Sequence, residues 1–254
     1  MRKDYQGTVF ADRENYLSPK LWFGLPVALL IVSIVILLID GDMFVWWARS
    51  EDGPGENITA ILFVISGVLA FVIARKKDVI LFAWLRGGFY TIGAVGLLVA
   101  GEEWSWGQHF FNWQTPEWLA SVNKQRETNL HNAAENLLDQ KPRAVFTFAA
   151  LLFGFFVPLL RPRLRWLDRY PVIDWLLPGR FLIPTTLVLF LPRVVERVQF
   201  WTDTSLTGGF IVTTRDYQEL QELLMAVFVF LYLANILLRI RRHRDGNQSA
   251  GSPL

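Results

Sequence analysis

The sequence predicts an all-α, polytopic membrane helix bundle of about six transmembrane helices, with short amphipathic helices on its outer face. Three observations predict it. The 254-residue chain is 52% hydrophobic and only 19% charged, against about 25% charged in an ordinary soluble domain. Its apolar residues gather in six runs, most of them long enough to cross a hydrocarbon core of roughly 30 Å as helices. The loops between those runs alternate in charge.

The first run, residues 21–39, contains no charged residue. A polar lead of twenty residues precedes it and no small-residue cleavage site follows, so it reads as a retained helix rather than a signal peptide. The second, 58–74, is closed by Arg75, Lys76, Lys77 and Asp78. The third covers 80–104 and the fourth 144–160. The fifth, 181–201, is interrupted by Pro184, Pro192, Arg193, Glu196 and Arg197, and the sixth is 220–240. No internal repeat or long linker divides the chain. Residues 1–245 therefore read as one membrane domain, and 246–254 as a disordered tail.

The loops set the orientation. The N-terminal segment, the 75–86 and 161–180 loops and the tail carry 17 basic against 7 acidic residues. The 40–56, 102–143 and 193–222 segments carry 8 basic against 16 acidic. Net charges of +10 and −8 on alternate loops place both termini in the cytoplasm by the positive-inside rule. The clusters at 161–166 and 239–244 read as contacts to anionic membrane lipid. No soluble domain surrounds them, which disfavours nucleic-acid binding. The chain has no cysteine, so disulfides and thiolate-held metals or clusters are excluded.

The unusual chemistry falls on the acidic side. Glu102 and Glu103 directly follow an apolar run, and ionisable groups at that depth are costly and mark function or pairing. Helical spacing would put Glu102, Trp106 and His109 on one face. Glu102 and His109 would still lie about 10 Å apart on a straight helix, so sharing one ion needs a chain break, with Gly107 the candidate. Trp104, Trp106 and Trp113 read as an interfacial belt. Thr115 reads as the N-cap of a short helix opened by Pro116, with Trp118, Leu119 and Val122 on its apolar face. A second helix is expected to align Glu127, His131 and Glu135 at i, i+4, i+8. A carboxylate one turn before a histidine is either a metal-ligand pair or a base with its orienting acid. Thr213 and Asp216 read as a capping arrangement ahead of Glu219 and Glu222. His243, in the basic tail, reads as inert.

The stretch 101–113 (GEEWSWGQHFFNW), followed by TPEWL and NKQRETNLHN, resembles a family of uncharacterised bacterial multi-pass membrane proteins. Its signature runs close to EExSWGQ…TPE…NxQxExNLHN. The match falls on Glu102, Glu103, Ser105, Trp106, Gly107, Gln108, Asn123, Gln125, Glu127, Asn129, Leu130, His131 and Asn132. The resemblance implies a bacterial inner-membrane protein and no particular activity. Likeness to the membrane hydrolases that include alkaline ceramidases is poor. Those have seven spans and three zinc-binding histidines, and this chain offers six runs and two outer histidines.

The residues themselves leave three readings open. One is an enzyme performing metal-assisted hydrolysis or group transfer on a lipid or lipid-linked substrate. Its catalytic candidates are Glu102, Glu103, Glu127, His131, Arg193 and Arg197. The candidate ligands for a divalent metal are Glu103, His109, Glu127, His131, Glu219 and Glu222. A second is a scaffold, assembly subunit or transporter whose charges are interhelical pairs. The third, bis-histidine haem through His109 and His131, is the weakest because neither residue lies on a facing span. The orientation is testable with reporter fusions at residues 50, 125 and 205. All three should report the outer side, and cytoplasmic activity at 125 would overturn the outward-facing reading.

Overall fold

The computed structural model describes residues 9–49, 53–123, 126–130, 140–202 and 214–250. Among them the chain is helical throughout its regular segments, with no strand. Six helical segments are long and apolar enough to span a membrane: Lys20–Ile39, Pro54–Ala74, Ala83–Glu103, Arg143–Arg163, Pro171–Thr202 and Tyr217–Gly246.

Span one holds α1 (Leu25–Ile39), which leads into α2 (Gly41–Arg49). Span two is α3 (Pro54–Ala74) and span three α4 (Ala83–Glu103). The short helices α5 (Gln108–Phe111) and α6 (Glu117–Ala120) follow. Span four joins α7 (Gln140–Ala149) to α8 (Val157–Leu160) through wider π-type turns. Span five comprises α9 (Pro171–Leu176) and α10 (Ile183–Thr202), the latter running through Pro192. Span six lies within α11 (Thr214–Ala250).

The sixth span is the centre of the bundle. Its most apolar stretch is 72% buried, against 11% for the first span. A helix apolar on all sides belongs inside a core, and Leu223, Leu224, Leu231, Leu233, Ile236 and Ile240 are all almost fully buried. The first span instead exposes Ile31, Ile34, Val35 and Leu38, as a lipid-facing helix should. The α3–α4 pair is set by glycine. A Cβ on Gly67 would stand 3.0 Å from the Gly93 carbonyl oxygen, and one on Gly96 3.2 Å from that of Phe63. Only hydrogen at these positions lets the two backbones approach so closely.

The two classes of loop fall at opposite ends. At the acidic end, Trp104 after α4 meets Asn57 in α3, and Arg143 in α7 meets Glu222 in α11. At the basic end, Arg13 and Arg161 both pair with Asp174, and Arg244 reaches Asp78. There the segment from Val9 to Tyr16 is strapped beneath the bundle. Phe10 packs edge-on against Trp175 at 5.4 Å. Asn235 takes the Tyr16 N–H at 2.9 Å. Burial, followed by the hydrogen bond and charge of Asp12, raises the Tyr16 phenol above its ordinary value. Arg239, only 2% exposed, donates to the carbonyls of Glu14 (2.9 Å), Trp175 (3.1 Å) and Arg13 (3.0 Å).

The α11 helix continues to Ala250, past residue 246 where the sequence predicts a disordered tail to begin. Thr213 lies outside the described residues, so the capping expectation there is untouched. Arg239→Met removes the donors of three carbonyls and should cost about 3 kcal/mol. In limited trypsin digestion in detergent, cleavage after Arg13 should accelerate at least tenfold. An unchanged cleavage rate would show that Arg239 does not hold the strap.

Candidate functional site at the acidic end

The helix α4 ends at Glu103, and the next turns are strongly bent. Ser105, Trp106 and Gly107 have φ of 44°, 58° and 94°. Two consecutive left-handed non-glycine residues carry strain of order 1–3 kcal/mol each. The expected break near Gly107 is thus present, and it already begins after Glu103. Because of it, Trp106 folds back and donates its indole N–H to Glu102 Oε1 at 2.8 Å. The other Glu102 oxygen accepts the backbone N–H of Leu130 at 2.6 Å. Glu102 therefore fastens the returning segment onto the end of α4. It is 8% exposed, and these bonds stabilise a carboxylate in that position.

Inside this fastening lies a compact polar knot. Ser105 Oγ donates to Glu127 Oε2 at 2.9 Å. Asn129 Nδ2 donates to the same Glu127 oxygen at 2.5 Å and to Ser105 Oγ at 2.9 Å. Asn123 donates to the Asn129 side chain and carbonyl, each at 2.8 Å, and accepts the Glu127 N–H at 3.2 Å. Ser105, Asn123, Glu127 and Asn129 are all buried. Around them Gln108 Oε1 accepts the Thr128 N–H at 2.6 Å, and Trp113 donates to Thr128 Oγ1 at 3.2 Å.

The backbone departs from the sequence expectation in two places. Residues 126–130 are not helical, so Glu127 does not begin a helical face shared with His131 and Glu135. Asn123 and Asn129 hydrogen-bond locally and compete with helix formation, and Arg126 sits at φ 59°. Thr115 is also not the N-cap of α6. Pro116 holds that position, and the Thr115 hydroxyl donates across to the Arg126 carbonyl at 2.6 Å.

Glu103 turns the other way, into the bundle. The charged groups facing it are Glu222, Glu219, Glu56 and Arg143. Glu219 and Glu222 are thus the two other candidate ligands whose charges bear on Glu103. Arg193 instead pairs with Glu196 on its own helix at 2.7 Å, and Arg197 is exposed on α10. The guanidinium that reaches the acids is that of Arg143, 2.5 Å from Glu222. Arg143 and Glu56 escaped the sequence reading. The available signal was their position, each within two or three residues of the start of an apolar run. His131 and Glu135 lie outside the described residues, as does the side chain of His109. Among the described residues, no group of three or more histidine, aspartate or glutamate side chains is placed to hold a metal ion.

The fold and this end of it define a class: a polytopic membrane protein of six spans, whose acidic end carries a hydrogen-bonded polar cap above converging carboxylates. Comparison of the chain with protein-family models, with curated proteins and with solved structures finds no match.

Glu102→Ala removes an acceptor from the cap. A hydrogen bond to a charged group contributes about 1.5–3 kcal/mol, so hydrogen exchange across residues 123–130 should rise roughly tenfold to a hundredfold. Exchange unchanged from the wild type would mean that the cap is held by something other than Glu102.

Proposed function

We propose that the acidic end is an outward-facing site for hydrolysis or group transfer on a lipid or lipid-linked substrate, with Ser105 as the nucleophile. The observation that carries this reading is the Ser105–Glu127 hydrogen bond of 2.9 Å, made from a left-handed backbone position and steadied by Asn129. A nucleophile within hydrogen-bond reach of a base, with the base held by a third group, is the general pattern of an activated hydroxyl. Strain at such a residue suits a reactive position.

In this reading Glu127 takes the Ser105 proton as Oγ attacks a carbonyl carbon or phosphorus. It returns that proton to the departing oxygen, and water or an acceptor hydroxyl then releases the group from Ser105. Glu102 holds the cap closed. His131 directly follows Leu130, whose N–H Glu102 accepts, and serves as a second acid–base group. A divalent cation would be held by Glu103, Glu219 and Glu222 with His109 or His131 only if these groups drew together and Glu222 left Arg143. Arg143 takes the anion-holding role that the sequence reading gave to Arg193 and Arg197. The protein is a bacterial inner-membrane protein with cytoplasmic termini in this account, on the strength of the loop charges and of the family resemblance.

The burial of Ser105 (1% exposed) and Asn129 (1%) favours a second reading. In it the knot is a structural clasp of a scaffold or assembly subunit. A fluorophosphonate probe applied to membranes containing the full chain separates the two. The catalytic reading predicts one phosphonyl adduct, on Ser105, lost in Ser105→Ala and reduced at least tenfold in Glu127→Gln. Metal analysis of the same preparation shows whether a divalent ion accompanies the site. No adduct on Ser105, together with a lowered melting temperature in both variants, would leave the clasp.

A further inference from the structure

We propose that a cavity at the opposite, basic end of the bundle binds the phosphate headgroup of an anionic membrane lipid. The cavity holds about 350 Å³, within the roughly 300–1,000 Å³ of small-molecule sites. It lies where span four ends, against the loop that precedes α10. Arg13, Arg161, Arg180, Arg239 and Asp174 form its charged wall. Four guanidinium groups against one carboxylate leave that wall at +3.

The hydrogen bonds show which of these groups face a ligand. Asp174 is committed to two partners. Arg161 clasps it through Nε and through Nη2 (2.8 Å), and Arg13 reaches it through Nε at 2.5 Å. Arg239 is used up on three backbone carbonyls. Arg180 is different. Its one hydrogen bond among the described residues is a long Nε–H contact of 3.4 Å to the Pro158 carbonyl. That leaves the two terminal nitrogens of Arg180 for an anion, beside those of Arg13. A guanidinium fork matches the paired oxygens of a phosphate. Arg239 and the Asp174 clasp hold the other charges in place beneath it.

The rest of the cavity points to a lipid as the source of the phosphate. Val157, Pro158, Leu177 and Pro178 give it an apolar wall. Val157 and Pro158 belong to the last turn of a membrane span, which places that wall at the boundary between hydrocarbon and headgroups. A free phosphate has no use for such a wall, whereas the glycerol and first acyl carbons of a lipid do. Arg163, Arg165 and Arg169, exposed on the same loop, attract the anionic surface. Basic pockets between spans on the cytoplasmic side are where anionic headgroups bind.

The test uses full-length protein in phosphatidylcholine nanodiscs, titrated with phosphatidylglycerol and read by thermal shift and native mass spectrometry. Phosphatidylglycerol should raise the melting temperature and remain bound, and inorganic phosphate at millimolar concentration should do neither. Arg180→Gln should weaken lipid binding at least tenfold without changing the melting temperature in phosphatidylcholine alone. Leu177→Trp, which fills the cavity without altering charge, should weaken it similarly. Arg163→Gln, on the same loop but outside the cavity, should change it less than twofold. Equal losses in Arg180→Gln and Arg163→Gln would reduce the effect to general surface charge and overturn the proposal. So would full affinity in Leu177→Trp, or stabilisation by inorganic phosphate matching that by the lipid.

Discussion

The acidic end depends on one carboxylate, Glu102, and on the fact that its two oxygens are held by different parts of the chain. One accepts from Trp106, four residues on, and the other from the Leu130 backbone, twenty-eight residues on. A carboxylate at the edge of a membrane span is costly unless such donors meet it. The sharp bend at residues 105–107 supplies the first donor, and the returning cap supplies the second. Helical geometry then does the rest. Adjacent residues on a helix point about 100° apart, so with Glu102 turned to the cap, Glu103 is directed among α3, α7 and α11.

The basic end solves the same problem with the opposite sign. Arg239 is as deeply buried as any charged group described, and backbone carbonyls rather than a carboxylate satisfy it. Those carbonyls come from the N-terminal strap and from α9, so a single side chain on the sixth span ties both to the bundle. The α11 helix is the common spine. Its first turns bring Glu219 and Glu222 to Glu103, and its later turns bring Asn235 and Arg239 to the strap. A rigid helix buried along most of its length keeps the two ends in fixed register.

The spans were legible because length and hydropathy suffice to detect a membrane helix. The signature residues were legible as a group. What they build was not. The i, i+4, i+8 spacing from Glu127 suggested a helix, but asparagine side chains at 123 and 129 offer the backbone a different set of hydrogen bonds. Arg193 and Arg197 drew notice because they interrupt an apolar run, yet Arg193 pairs within its own helix. Arg143 sits inconspicuously at the start of span four and makes the interhelical contact. The Asp174 clasp joins residue 13 to residues 161 and 174, and no local pattern marks a contact over such a separation. Thr115 failed as a cap for a related reason: its hydroxyl found a better acceptor across the loop than along its own helix.

The acidic end stands or falls on whether residues 126–130 close over the end of α4, fastened by Glu102 and Gln108. The chain has no cysteine, so a cross-link between two introduced thiols reports on one pair alone. Linking of the Gln108→Cys/Thr128→Cys variant by a short bifunctional thiol reagent in native membranes tests this most directly, with Arg143→Cys/Glu222→Cys as the positive control. Both pairs should be linked, since Gln108 meets the Thr128 backbone and the Arg143 and Glu222 side chains meet each other. Linking of the control pair alone would place residues 126–130 away from the end of α4 and contradict the closed cap.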